Sequence, residues 1–262
     1  MTPARERPRL YTGDPQDVGD THTRVKPGIR YVTGVGSRET PPEALAALSR
    51  IFDRLVRAGI VLRTGGAYGA DNACLFGALG ANLVDGLDNW PKRLPFPTET
   101  DVRAVVYLPW VDHAPNSLLG EMRAHPHVRF RRVYDDRYAE LIVDTLHPAA
   151  RRLPPTVRLL HTRNVHAVLG DHNMPLSSDL VICWTRDGAG TDGIPTTRDT
   201  GGTGMAIRIA ETYGIPVINL ARACEKAGDW RLVEDMAVGV ALALRDRPKR
   251  GAHVYPMNAR LP

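Results

Sequence analysis

The sequence predicts an α/β domain in which a mostly parallel sheet carries helices on both faces. Short apolar runs alternate along the chain with segments whose apolar residues recur at helical spacing, a pattern typical of β-α-β units. Glycine-rich segments follow three of these apolar runs, at residues 34–38, 64–71 and 201–204. Ligands of such sheets bind at the carboxyl ends of the strands, so these three segments are candidates for a binding site.

The first third of the chain predicts an arm and two β-α units. Residues 1 to about 28 are rich in Pro, Gly, Asp, Thr and Arg without periodicity, which predicts a flexible arm outside the core. A β-prone run at 29–33 begins the core, and a helix follows that ends near Gly59. The apolar run 59–62 predicts the second strand, and 72–83 the second helix. The first helix is indicated by the spacing of Leu45, Leu48, Ile51, Phe52, Leu55 and Val56.

The middle of the chain has a weaker pattern. Residues 86–100 are punctuated by prolines and predict a loop, and 102–109 predicts a third strand. Residues 110–155 are rich in His, Arg and Pro and predict an irregular segment, with a short helix at 138–146. We interpret about 86–155 as an insertion that covers one side of the site.

The last third returns to regular alternation. Helices are predicted at 156–169, 205–213 and 230–244, and strands at 179–184 and 215–220, with a long loop at 185–199. The domain is therefore predicted to span 29–246, followed by a C-terminal tail at 247–262.

Composition indicates a soluble globular protein. The chain has 262 residues, of which 43% are hydrophobic and 24% charged, and no apolar run approaches about 18 residues. The N-terminal residues lack the apolar region of a secretory signal, so we expect a cytoplasmic protein without a membrane partner. Cys74, Cys183 and Cys224 have neither zinc-site nor disulfide spacing, and we expect the first two to be small core residues.

The chain is basic, with a net charge of +5 and a pI of about 9.3. This balance fits either a solvated basic face or a phosphate-rich partner, and the sequence leaves both open. The arginines concentrate in the arm and in the middle of the chain: Arg5, Arg7, Arg9, Arg24, Arg123, Arg129, Arg131, Arg132, Arg137, Arg151, Arg152, Arg158 and Arg163.

The segment 64–71 has the composition of a phosphate-binding turn. It connects a predicted strand to a predicted helix, and such a junction directs backbone N–H groups and the positive end of the helix dipole at one point. It matches neither G-x-G-x-x-G nor the Walker pattern, and its glycines could serve only a tight turn. Three such segments at strand ends favour an anion site, in which 64–71 is expected between 34–38 and 201–204.

Four motifs, taken in order, resemble the DprA/Smf branch (DNA processing protein A) of the SLOG superfamily. They are Gly36-Ser37-Arg38, the run Gly65-Gly66-Ala67-Tyr68-Gly69-Ala70-Asp71, Arg163-Asn164, and Gly201-Gly202-Thr203-Gly204. The resemblance covers 29–220 except about 85–155. It implies a Rossmann-like fold that binds nucleotides or, with a recombinase partner, single-stranded DNA. It requires no cofactor, and we expect a homo-oligomer, most simply a dimer.

The related LOG branch hydrolyses nucleoside monophosphates, and its motif G-G-x-G-T-x-E supplies a catalytic Glu. Ile207 stands at that position here, which argues against this reaction. The chain also shows no C-terminal winged-helix domain of the kind that many DprA proteins carry. An N-glycosidase in which Asp71 or Glu211 replaces the Glu stays an alternative, as does a nucleotide sensor that signals through oligomerisation. We assign no catalytic residue.

Individual residues have a functional and a plainer interpretation. Ser37 and Arg38 could bind phosphate, or act as a helix cap and a surface charge. Asp71 could accept from a sugar hydroxyl or cap the following helix, Arg163 could reach the site or lie on a helix face, and Trp184 could stack on a base or belong to the core. The predicted nucleotide- or phosphate-binding residues are Gly34, Gly36, Ser37, Arg38, Gly65, Gly66, Ala67, Gly69, Asp71, Arg163, Asn164, Gly201, Gly202, Thr203 and Gly204.

Metal binding is not predicted. The histidines lack H-E-x-x-H or an equivalent spacing, and isolated histidines are usually structural. Asp187, Asp192 and Asp199 in the long loop could act as acids, bases or ligands, but the sequence favours solvated loop carboxylates, because nothing in it indicates a perturbed pKa. The histidines considered are His113, His125, His127, His161, His166 and His172.

Overall fold

A computed structural model describes residues 30–81, 102–110, 113, 125, 127–132, 136–171 and 176–247. The predicted arm, and all but the first residue of the predicted tail, lie outside these ranges. The described elements are β1 (Arg30–Gly36), α1 (Pro42–Arg57), β2 (Ile60–Thr64), α2 (Ala70–Ala78), β3 (Ala104–Leu108), β4 (Val128–Arg132), α3 (Arg137–Leu146), a 3₁₀ turn (Ala150–Arg152), α4 (Pro155–Leu169), β5 (Leu180–Trp184), α5 (Thr203–Thr212), β6 (Val217–Asn219), α6 (Leu220–Ala227) and α7 (Trp230–Arg245).

The six described strands form one parallel sheet in the order β4-β3-β2-β1-β5-β6. β1 pairs with β2 on one side and β5 on the other, so that Val32 lies opposite both Leu62 and Leu180. The chain builds the sheet outward from β1 to β4 and then returns to add β5. The predicted α/β class is confirmed, and the reversal between β1 and β5 is the switch point where sheets of this kind bind ligands.

Helices bury both faces of the sheet. On one face α1, α2, α6 and α7 pack in a cluster that includes Leu48, Phe52 and Phe76. On the other face α3, α4 and α5 pack around Val168 and Met205. Burial on both sides explains why β2 and β5 read as nearly continuous apolar runs. The expectation that Cys74 and Cys183 are core residues is confirmed, since both are fully buried.

The prediction of an irregular segment at 110–155 is wrong for 128–132, which form β4 at the sheet edge. Three arginines in this five-residue strand obscured its pattern, yet charged residues are common on edge strands. Arg131, for example, pairs with Asp171 at 3.2 Å. The sequence also failed to predict α6, and it ended β1 at residue 33, whereas that strand continues to Gly36.

None of the described helices is both long and apolar enough to cross a membrane.

Candidate functional site

Two glycine loops meet at the carboxyl edge of the sheet and are bonded to each other. We call residues 36–38, after β1, and 65–69, after β2, the paired loops. Asp71, in the first turn of α2, accepts hydrogen bonds from the Gly36 N–H (3.1 Å) and the Ala67 N–H (3.2 Å). The Ala70 N–H also donates to the Ser37 carbonyl at 3.4 Å. The Asp71 carboxylate therefore ties one loop to the other, a role that differs from both of its predicted ones.

Glycine is required where these loops approach. A Cβ on Gly36 would lie 2.5 Å from the Ala70 Cβ and 2.9 Å from the Trp184 carbonyl oxygen. Gly69 has a φ of +94°, and a Cβ there would lie 2.6 Å from the Ser37 carbonyl oxygen. Gly34, by contrast, lies inside β1, where it makes room for Phe52 and Cys74 in the core. These glycines serve close packing between loops and between layers.

The predicted order of the loops needs one correction. Because β1 lies between β2 and β5 in the sheet, the loop 36–38 is the central one, and 65–69 lies to one side. Residues 64–71 are therefore not the middle segment. The Ser37 N–H donates to the Trp184 carbonyl at 3.0 Å, which bonds the central loop to the end of β5 as well.

α4 connects the paired loops to the third glycine segment, 201–204, which we call the open loop. Arg163 is 8% exposed, and its Nη1 donates to the Gly65 carbonyl at 2.9 Å. The next residue, Asn164, donates from Nδ2 to the Gly202 carbonyl at 3.2 Å. The structure thus brings both predicted α4 residues to the glycine loops: Arg163 to the paired loops and Asn164 to the open loop.

Positive charge exceeds negative charge at this junction. Burial lowers the pKa of Arg163, the nearby Asp71 carboxylate opposes that shift, and the Arg38 guanidinium adds to it. Burial raises the pKa of Asp71, against the effect of Arg163 and of the bonding backbone N–H groups. Arg38 is exposed at the central loop. Arg163 interacts with one carboxylate and with a second guanidinium, that of Arg38, and this excess of positive charge favours an additional anion.

Several buried polar atoms here have no hydrogen-bond partner among the described residues. They are Arg163 Nε, Thr64 Oγ1 at the end of β2, and both amide atoms of Asn72 in the first turn of α2. Unsatisfied buried polar groups are rare in folded proteins and call for a water molecule or a ligand. Their position around the β2–α2 junction supports a polar ligand at this edge.

The open loop is not packed like the paired loops. Gly201, with a φ of +66°, and Gly202 are both exposed, and a Cβ at either would have no other atom within 4 Å. Thr203 begins α5, a helix of 10 residues. The first N–H groups of a helix have no partner within it and carry the positive end of its dipole. Here the Gly204 and Met205 N–H groups donate to the Gly201 and Gly202 carbonyls at 3.2 and 3.4 Å, so the loop offers an anion exposed space and the helix dipole.

Asp187 holds the long loop before the open loop in shape. It accepts hydrogen bonds from the hydroxyls of Thr185 (2.7 Å), Thr197 (3.2 Å) and Thr200. Although burial acts to raise the pKa of Asp187, these bonds lower it overall. Asp192 pairs with Arg222 and Lys226 on α6. Both carboxylates are thus engaged in structural contacts.

Burial distinguishes the other candidates. Trp184, whose carbonyl bonds the central loop, is 8% exposed, and its side chain belongs to the core cluster. Ile207 is fully buried, while Glu211 lies on the exposed side of α5. A surface cavity of about 520 Å³ lies between α1 and α7, and no glycine-loop residue lines it.

Most of the described histidines are buried, and several pack against another histidine. His125 and His127 are buried beside each other, His166 lies 3.4 Å from Asp136, and His161 packs against His147. Within the described part of the chain no three His, Cys, Asp or Glu side chains are grouped so that they could hold a metal ion. His172 lies outside the described residues.

One residue of the site was missed by the sequence analysis as an individual candidate. Tyr68 lies in the loop 65–69 and is 43% exposed. An aromatic residue between Gly66 and Gly69, outside any helical or strand periodicity, was the available signal. An aromatic residue at such a loop position is exposed to solvent and is not part of the core.

No protein-family model matches this chain, and no curated protein and no solved structure matches it. The resemblance to DprA/Smf proteins therefore depends on the order of the four motifs alone. The structure adds a parallel α/β sheet of Rossmann-like architecture, with those motifs at its carboxyl edge.

Proposed function

We propose that this chain binds a nucleotide, or the phosphate backbone of single-stranded DNA, at the carboxyl edge of its sheet, as the resemblance to DprA/Smf proteins implies. The observation that carries the proposal is the position of Arg163. Its buried guanidinium contacts Gly65 in the paired loops, while its neighbour Asn164 contacts Gly202 in the open loop. A buried cation on the helix that bonds two of the glycine loops is an arrangement suited to an anion.

Phosphate is the anion that best fits these groups. Arg38 presents an exposed guanidinium, which can donate two parallel hydrogen bonds to phosphate oxygens. The start of α5 supplies the positive end of its helix dipole on the other side, beside the exposed Gly201 and Gly202. Both lie at the switch point of the sheet, where β1 and β5 are neighbours.

Binding is better supported than hydrolysis. Ile207, at the position of the LOG catalytic Glu, is buried among core residues. Asp71 uses both carboxylate oxygens to bond backbone N–H groups of the paired loops. Glu211 lies on the exposed side of α5, and partial burial and Arg208 act on its pKa in opposite directions, with a net rise. Neither Asp71 nor Glu211 is therefore placed to replace the catalytic Glu of the LOG branch.

The test is a titration of a fluorescent oligo-dT, and separately of a fluorescent nucleoside monophosphate, at low and high salt. We expect binding at low salt, with an oligonucleotide affinity that falls as salt rises because counterions are released. Arg38→Ala should weaken binding about tenfold, since a charge-assisted hydrogen bond is lost.

Arg57→Ala is the matched control, because it removes the same charge from an exposed position at the far end of α1. It should leave both affinities unchanged, and the two variants should keep the wild-type Tm. No binding of either probe at low salt would overturn the proposal, and so would equal losses in Arg38→Ala and Arg57→Ala.

A further inference from the structure

We infer that Tyr68 is a stacking platform for a nucleobase, so that the ligand must carry an aromatic base beside its phosphate. The inference rests on the proposed function and specifies its ligand. The described chain exposes four large hydrophobic side chains, and Tyr68 is the aromatic one among them. Leu141, Leu232 and Met236 lie on α3 and α7, whereas Tyr68 lies on a loop at the switch-point edge of the sheet.

The loop that carries Tyr68 is fixed on both sides of it. The preceding Ala67 donates its N–H to Asp71. The following Gly69 lies so close to the central loop that a Cβ there would be 2.8 Å from the Arg38 Cα. The backbone that carries Tyr68 is therefore fixed next to the central loop, which carries Arg38. A tyrosine has only two side-chain torsions, so it loses little entropy when a base stacks on it.

A ligand that contacts both Tyr68 and the open loop must extend beyond a single phosphate. Neighbouring strands lie about 4.8 Å apart, so the ends of β2 and β5, with β1 between them, are separated by about 10 Å. Tyr68 follows β2, and the open loop follows β5 by way of the long loop. A nucleotide or a short single strand can place a base on Tyr68 and a phosphate toward the open loop. Arg38, on the central loop, lies between these two positions.

Stacking on an aromatic side chain is tolerant of base identity, because every base has a π-face. We therefore expect little preference among the four bases and a clear preference for bases over no base. Removing the aromatic ring should weaken the binding of a base-containing strand roughly tenfold. It should leave the binding of a strand without bases unchanged.

The experiment compares oligo-dT with an abasic oligonucleotide of the same length, using the full chain and the variants Tyr68→Ala and Tyr68→Phe. Wild type should bind oligo-dT more tightly, Tyr68→Ala should bind both probes at the abasic level, and Tyr68→Phe should behave like wild type. Leu141→Ala, which truncates a comparably exposed side chain on α3, is the control and should change neither affinity.

The outcomes separate this inference from the proposed function. If wild type binds both probes equally, or if Tyr68→Ala weakens both alike, the inference fails while phosphate binding stands. Retention of the oligo-dT preference by Tyr68→Ala would also overturn it. If wild type binds neither oligonucleotide, the single-stranded-DNA form of the proposed function fails, and the inference with it. Thermal melting of each variant confirms that the comparison is made between folded proteins.

Discussion

The paired loops and the open loop have similar glycine content and opposite packing. In the paired loops, a Cβ on Gly36, Gly65 or Gly69 would lie within 3 Å of another atom. In the open loop, a Cβ on Gly201 or Gly202 would meet nothing within 4 Å. The first group of glycines lets backbone segments approach each other, and the second leaves space that a ligand can enter.

Glycine motifs that look alike in the sequence therefore have different roles in the paired loops and in the open loop. Asp71 already accepts from the Gly36 and Ala67 N–H groups, and Arg38 and Arg163 bring guanidinium groups to the same loops. At the open loop the Gly204 and Met205 N–H groups donate to the Gly201 and Gly202 carbonyls, so this loop offers exposed space and the positive end of the helix dipole. We therefore expect glycine substitutions to affect folding in the paired loops and binding in the open loop.

The largest effect should come from Gly36→Ala. Its Cβ would lie 2.5 Å from the Ala70 Cβ and 2.9 Å from the Trp184 carbonyl oxygen, and neither neighbour is the flexible end of a long side chain. α2 must shift away from β1, and we expect the free energy of unfolding to fall by about 3 kcal/mol. Chemical denaturation of the variant and wild type measures it. Surface substitutions usually change the free energy of unfolding by less than about 0.5 kcal/mol. A loss of that size would show that the paired loops are not tightly packed against each other.

Sequence patterns predicted most of this sheet because its buried strands are apolar and its helices are periodic. β4 was missed because three of its five residues are arginines, which hide the apolar pattern of a strand. Arginines are tolerated there because β4 lies at the edge of the sheet, and the edge position is known only once the sheet is assembled. α6 was missed because it begins directly after β6, and its cap is Asn219, the last residue of that strand.

The candidate site was predictable as a set of residues but not as an arrangement. Glycine-rich segments after apolar runs indicated its place, since parallel strands bring their carboxyl ends to one edge. The order of the loops depends on which strands are neighbours, and that is a property of the whole sheet. The engagement of Asp71 with Gly36, 35 residues away along the chain, could not be read from local spacing either.

A second prediction concerns His161, which lies on α4 just before the two residues that join the loops. Burial lowers its pKa to about 4, with further contributions from His147, Arg163 and Arg208. The unfolded chain binds this proton near pH 6.5, so the stabilisation is complete above that pH and is lost as the pH falls toward 4. The loss should reach roughly 3 kcal/mol.

His161→Gln tests this assignment, because glutamine does not titrate in that range. The free energy of unfolding is measured at several pH values between 7.5 and 4.5 for both proteins. The quantity of interest is the difference in slope between the two proteins. His125, whose pKa is also lowered, is present in both, whereas His147 packs against His161, so the difference reports on the His147–His161 pair. If the free energies of unfolding of the two proteins changed in parallel with pH, the pKa of His161 would not be lowered by folding.

The smallest effects on stability, and the sharpest test of the comparison, should come from the open loop. Gly201 has a φ of +66°, so Gly201→Ala should cost about 1 kcal/mol of stability through backbone strain alone. Gly202 has φ −63° and ψ −28°, which alanine adopts freely, so Gly202→Ala should raise stability by about 0.5 kcal/mol. The same methyl group projects into the space before α5. It should therefore weaken oligo-dT binding severalfold, measured by the salt-controlled titration. A variant that is both more stable and fully competent in binding would place the anion elsewhere and leave the open loop as a surface turn.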